Sequence, residues 1–138
     1  MLYVTPDRLV IGQAGGYLDV IRFNGNKATL THSLCINEAG DINELAHASQ
    51  PLELMIGCQK GLLLCKISKN DQLDIIRVEE EYSNLYVVTV CWCGEDKFLI
   101  VTSRPKYSKS KSIPKGEENF AIATFTLYNS NETDPEKR

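Results

Sequence analysis

The sequence predicts an all-β chain assembled from antiparallel four-stranded units, and two observations predict it. The first is an internal repeat at an offset of 45 residues. The second is a succession of short apolar runs punctuated by Gly, Asn, Asp and Pro, the pattern of an antiparallel meander.

Internal self-similarity decides architecture before local reading does. Sliding the chain by 45 residues lays Thr5–Gly12 on Gln50–Gly57, and a further 45 reaches Glu95–Thr102. Pro6 falls on Pro51, the three-residue apolar runs coincide and Gly12 falls on Gly57. Gly16 falls on Gly61, and each opens another apolar run, Tyr17 to Phe23 and Leu62 to Ile67. The same shift lays Ile42–His47 on Val87–Trp92.

Each unit reads as four strands. In the second copy these are Ile42–His47, Leu54–Gly57, Leu62–Ile67 and Leu73–Val78. Cys58-Gln-Lys-Gly61 suits a hairpin loop, because glycine takes the positive φ that such turns need. Asn24-Gly25 and Asn70-Asp71 are the turn signals between third and fourth strands. A competing reading makes Ile42–Ser49 helical within a small mixed α/β domain, since Glu44, Leu45, Ala46 and Ala48 are good helix residues.

Four short strands recurring every ~40–45 residues match the blade period of a propeller. The motif Ile-Gly-x-x-x-Gly, seen at Ile11–Gly16 and Ile56–Gly61, resembles the turn between second and third strands of a WD-repeat blade. The resemblance covers most of residues 5–128 and is one of degenerate repeats. Arg22-Phe23 and Lys66-Ile67 stand where a Trp-Asp pair would close the third strand, and Ala39-Gly40-Asp41 where a Gly-His pair would precede the first. It implies an incomplete β-propeller of about two and a half blades over residues 1–128.

The phase of the repeat implies a first copy lacking its first strand and a third lacking its last, ending around Ala121–Tyr128. A propeller closes with about four blades or more. Self-association or further blades would therefore complete this one. The third copy carries a Lys/Ser/Pro-rich insertion across residues 103–119, too polar to bury and expected to be a mobile loop. Residues 129–138 read as a disordered tail.

A net charge of −3 and a pI near 5.4 argue against a nucleic-acid-binding domain. No run approaches the ~18 apolar residues of a membrane span. The start, Met1–Arg8, lacks the pattern of a secretory signal. The expected address is then the cytoplasm or the nucleus, with Cys35, Cys58, Cys65, Cys91 and Cys93 as free thiols.

Candidate chemistry is sparse. Cys91-Trp92-Cys93 lacks the spacing and the second pair of a structural zinc site. Cys58, Cys65, Cys91 and Cys93 read as core thiols. A Cys–His nucleophile from Cys35 with His32, or Cys91 with His47, has no local signature to support it. Gly12–Gly16 lacks the Gly-Lys-Ser/Thr ending of a phosphate loop. Glu79–Glu81 reads as a solvated acidic loop, and Asn131-Glu-Thr133 fits a glycosylation acceptor that carries little meaning without an export signal.

The candidate partner-binding residues are Arg104, Lys106, Tyr107, Lys109, Lys111 and Lys115, in the basic insertion. Their serine neighbours offer a phosphorylation switch. The expected function is a non-enzymatic scaffold binding other proteins, without catalytic residues, metal or cofactor. The alternative is a hydrolase-type propeller enzyme whose site lies in missing blades or between chains. Such a site would use polar residues on first strands, for which Asn43, Glu44, His47 and Thr89 are the available set.

Overall fold

The computed structural model describes residues 1–103 and 123–138. Strands dominate, and they form three antiparallel sheets in chain order. The first sheet contains β1 (Leu2–Thr5), β2 (Arg8–Gly12), β3 (Tyr17–Asn24) and β4 (Lys27–Cys35). The second contains β5 (Ile42–His47), β6 (Glu53–Cys58), β7 (Gly61–Ile67) and β8 (Leu73–Val78). The third contains β9 (Tyr86–Gly94), β10 (Lys97–Ser103) and β11 (Ala123–Asn129). Each strand pairs with its sequence neighbour, antiparallel throughout.

The strands expected of the second unit are all present, and Ile42–His47 is extended rather than helical. Its β5 ladder to β6 and its packing against the third sheet outweigh the helix propensity of Glu44, Leu45 and Ala46. The first unit differs from expectation. Leu2 and Tyr3 pair with Val10 and Leu9, so the unit has its first strand and four in all. With only four residues, β1 carries too little alternation to announce itself in sequence.

The second sheet is the middle layer and buries both faces. Leu54, Ile56, Cys58, Leu63, Cys65 and Ile67 join Val10, Leu18 and Val20 of the first sheet in one core. On the other face, Met55, Leu62 and Leu64 join Val87, Val90, Phe98, Ile100 and Tyr128 of the third sheet. Strand alternation sends odd and even residues of β6 and β7 to opposite neighbours, which explains why these strands are almost continuously apolar. Fully burying one Leu, Ile or Phe side chain contributes ~1.5–3 kcal/mol, so these two cores supply most of the cohesion between sheets.

The repeated glycines acquire a reason at these interfaces. A Cβ on Gly57 would lie 2.8 Å from Val87 Cγ1 and 3.1 Å from Val90 Cγ2. A Cβ on Gly12 would collide with the Ile42 side chain in the same way. Gly12 and Gly57 sit where the first strand of the following sheet presses closest, and Ile42 and Val87 are themselves one repeat apart.

The third unit first departs from the 45-residue offset at the β9–β10 hairpin. Leu54 lies opposite His47, seven positions on, whereas Phe98 lies opposite Trp92, only six positions on. The β9–β10 hairpin is therefore one residue shorter. β9 follows β5 at 45, but β10 follows β6 at 44. Phe98 thus takes the role of Leu54, Ile100 that of Ile56, and buried Thr102 that of buried Cys58. A slip of one residue exchanges the two faces of a strand, so the sequence alignment assigned β10 the wrong inward set.

A candidate interaction face on the third sheet

The sheets are tied by charge as well as by apolar packing. Asp71 occupies the β7–β8 turn with φ +65° and is 3% exposed. It receives Arg22 Nε and Nη2, each at 2.8 Å, and Arg8 Nη1 at 3.4 Å, from the first sheet. The Arg22 hydrogen bonds hold its carboxyl below the usual range against the opposing effect of burial.

A second buried carboxylate anchors the third sheet. Glu79 is 1% exposed, which corrects the expectation that Glu79–Glu81 is wholly solvated; Glu80 and Glu81 are exposed. Glu79 accepts from Arg77 Nε, from Tyr128 Oη at 2.5 Å and from Arg138 Nε at 3.0 Å. Arg77 Nη2 also donates to Tyr128 Oη at 2.6 Å and to the Ser130 carbonyl at 3.2 Å. Arg138, in the segment 129–138 that the sequence reads as a disordered tail, reaches this point. Burial, followed by the Glu79 carboxylate, raises the Tyr128 hydroxyl far above its ordinary value. Two guanidiniums on one carboxylate, with a shared phenol, describe a structural clamp between β8 and β11.

The sequence-predicted chemical candidates separate rather than converge. Cys58 and Cys65 are buried, and burial pushes each thiol up to about 12. Cys91 and Cys93 are exposed, which corrects their reading as core thiols. Cys91 lies opposite Leu99, on the face of β9 that no further sheet covers among the described residues. Cys35 Sγ lies 3.1 Å from Asn37 Oδ1. Among the described residues no hydrogen bond joins a cysteine to a histidine, and no group of three or more His, Cys, Asp or Glu could hold a metal ion. The polar first-strand residues are engaged between sheets: Asn43 Nδ2 donates to the Val87 carbonyl at 2.8 Å, and Thr89 Oγ1 lies 3.5 Å from Glu44 Oε2. His47 stands apart, with Trp92 and Glu95, in an open depression of about 570 Å3. The basic candidates Arg104, Lys106, Tyr107, Lys109, Lys111 and Lys115 lie outside the described residues.

The feature that sequence reasoning missed is the outer face of the third sheet. β11 is in the third-strand position, with Leu127 opposite Leu99 and Phe125 opposite Val101. By register these correspond to Leu64 opposite Met55 and Leu62 opposite Gly57 in the second sheet. Leu62 and Leu64 are buried under the third sheet, at 0% and 6% exposure. Phe125 and Leu127 are 68% and 60% exposed. Leu99 and Val101 beside them are half-buried, and Cys91 extends the row. Among the described residues no strand pairs the outer edge of β11, whereas β3 and β7 each have a fourth-strand partner.

The signal for this face was available in the alternation Thr124-Phe-Thr-Leu-Tyr128, which places Phe125 and Leu127 on one side and Tyr128 on the other. What hid it was the one-residue slip at β10, which reversed the faces of the strand against which β11 pairs. No family model matches the chain, and no curated protein matches it at a meaningful level of similarity.

Proposed function

We propose that the chain is a non-enzymatic protein-interaction module of WD-repeat-like blades, acting as a scaffold that binds other proteins in the cytoplasm or nucleus. The observation that carries this reading is the outer face of the third sheet. Leu99, Val101, Phe125 and Leu127 present there, to solvent, the surface that the second sheet buries against its neighbour. Contiguous exposed apolar patches on folded proteins mark interaction sites. The ionisable groups nearest the core, Asp71 and Glu79, are consumed in structural clamps, which leaves them poorly placed for acid–base work. Five unpaired cysteines agree with a reducing compartment.

The test is comparative capture from a cell extract with three purified forms: wild type, Phe125→Lys/Leu127→Lys, and Ile76→Lys as an exposed apolar control on β8. Proteins retained by wild type and by the control, but lost from the double variant, are the expected result. Identical recoveries from all three forms would remove the outer face from the function.

A further inference from the structure

Where the second and third sheets meet at one rim, the β5–β6 and β9–β10 turns border the open depression of about 570 Å3. His47 and Ser49 stand on one side of it, and Trp92, Glu95 and Asp96 on the other. The β9–β10 turn is held from both flanks. Ser49 Oγ lies 3.4 Å from the Glu95 carbonyl, and the Ser130 amide and hydroxyl reach the Asp96 carbonyl at 2.8 and 3.1 Å.

Trp92 is the sole tryptophan of the chain, and it is 57% exposed. It lies opposite Phe98, which packs toward the second sheet, so it stands on that side of β9 and not on the outer face. Its indole N–H donates to the Glu95 carbonyl at 2.9 Å, which fixes the ring and uses its one polar atom. What the ring still offers is a π surface of partial negative charge. No other ring packs on it among the described residues.

The charges beside this ring are of one sign. Glu95 and Asp96 line the depression, and no lysine or arginine does. Among the described residues neither carboxylate has a salt-bridge partner. Asp96 accepts from Asn131 Nδ2, and the Glu95 carboxylate accepts no hydrogen bond among the described residues. The other junction of this rim shows the contrast. There the acid is Asp71, and it already holds the guanidiniums of Arg22 and Arg8. At the junction with the third sheet the acids stand without a guanidinium, beside an exposed indole.

We infer that this depression receives an arginine side chain of a partner protein, its guanidinium stacked on Trp92 and paired with Glu95. A planar cation lies flat on an indole face while its fork of N–H donors reaches a carboxylate, which a lysine ammonium does less well. Asp96 adds to the attraction. The depression exceeds one side chain in volume, so it admits the peptide around the arginine. The site lies on the side of β9 away from the Phe125–Leu127 face, so the two stand or fall separately.

The single tryptophan reports on its own site. Its fluorescence is followed while the folded full chain is titrated with short acetylated peptide amides of glycine and serine that carry one central arginine, lysine or glutamine. The same titrations are run on Glu95→Gln, and on Glu81→Gln as an exposed acid at the opposite rim; Trp92→Leu is titrated by calorimetry. All three positions are exposed, and circular dichroism with thermal melting verifies that folding is preserved. The expected result is a saturable change with the arginine peptide, a weaker one with lysine and none with glutamine. Glu95→Gln should weaken arginine-peptide binding about threefold or more, the scale of one exposed ion pair, while Glu81→Gln leaves it unchanged and Trp92→Leu abolishes it.

Absence of any change with the arginine peptide overturns the site. Equal binding of the glutamine peptide overturns the cationic ligand, and equal or tighter binding of the lysine peptide overturns the guanidinium. Equal weakening in both glutamine variants would show diffuse attraction to an acidic chain, and so overturns the assignment to this depression.

Discussion

Gly57 is the residue at which one methyl group decides how closely two sheets approach. A Cβ there meets Val87 Cγ1 at 2.8 Å, and Val87 is held by the β9–β10 ladder rather than free to swing away. Overpacking of a closed interior costs ~1–3 kcal/mol. Gly57→Ala is therefore expected to lower the melting temperature by several degrees, and Gly57→Val by more; an unchanged melting temperature in both would mean that the sheets separate at no cost. The cysteines give a second residue-scale expectation. Cys58 and Cys65, with thiols pushed to about 12 and no solvent access, resist alkylation in the native state. Exposed Cys35, Cys91 and Cys93 react. Mass spectrometry after iodoacetamide treatment near neutral pH should find three modified thiols in the folded protein and five after denaturation. Rapid labelling of Cys58 or Cys65 in the fold would contradict their place in the core.

Asp71 shows what a single turn contributes at the scale of elements, since it is the β7–β8 link that binds β2 and β3 of the neighbouring sheet. Its folded-state pKa is depressed, chiefly by the Arg22 hydrogen bonds, so its stabilising contribution is fully present above the ordinary carboxylate value of about 4. That contribution is lost as pH falls through the lowered value. Asp71→Asn tests the charge while keeping the φ of +65°, which asparagine tolerates. Urea midpoints should then be lower in the variant at pH 7, and the two proteins should converge as the pH is taken below ~4. Parallel curves would assign the acid sensitivity to other carboxylates.

The same elements show what was legible beforehand. β5 to β8 were readable because turns at Cys58–Gly61 and Asn70-Asp71 bracket apolar runs of strand length. β1 was too short to read. The slip at β10 was invisible because one deleted residue in a hairpin leaves composition and approximate period intact while reversing the face of every side chain. Burial of Glu79 could not be inferred either, since its partners Tyr128 and Arg138 lie 49 and 59 residues away.

For the molecule as a whole, the three sheets form a row in which each touches only its neighbours through an apolar interface, so stability approximates a sum of sheet and interface contributions. Among the described residues, only the second sheet has an interface on both sides. β6 and β7 are its central strands, hydrogen-bonded on both edges and buried on both faces. By contrast β4 is exposed along most of its length, and β11 has a partner on one edge only among the described residues. Local opening free energies rise with burial and with the number of backbone partners. Native-state hydrogen exchange read by mass spectrometry should therefore order the strands. Amides of Leu54–Ile56 and Leu62–Cys65 should exchange slowest, and those of β4 and of the outward edge of β11 fastest. Uniform protection across all three sheets would mean that the row unfolds as one unit, and that the two internal interfaces are too strong for any sheet to open alone.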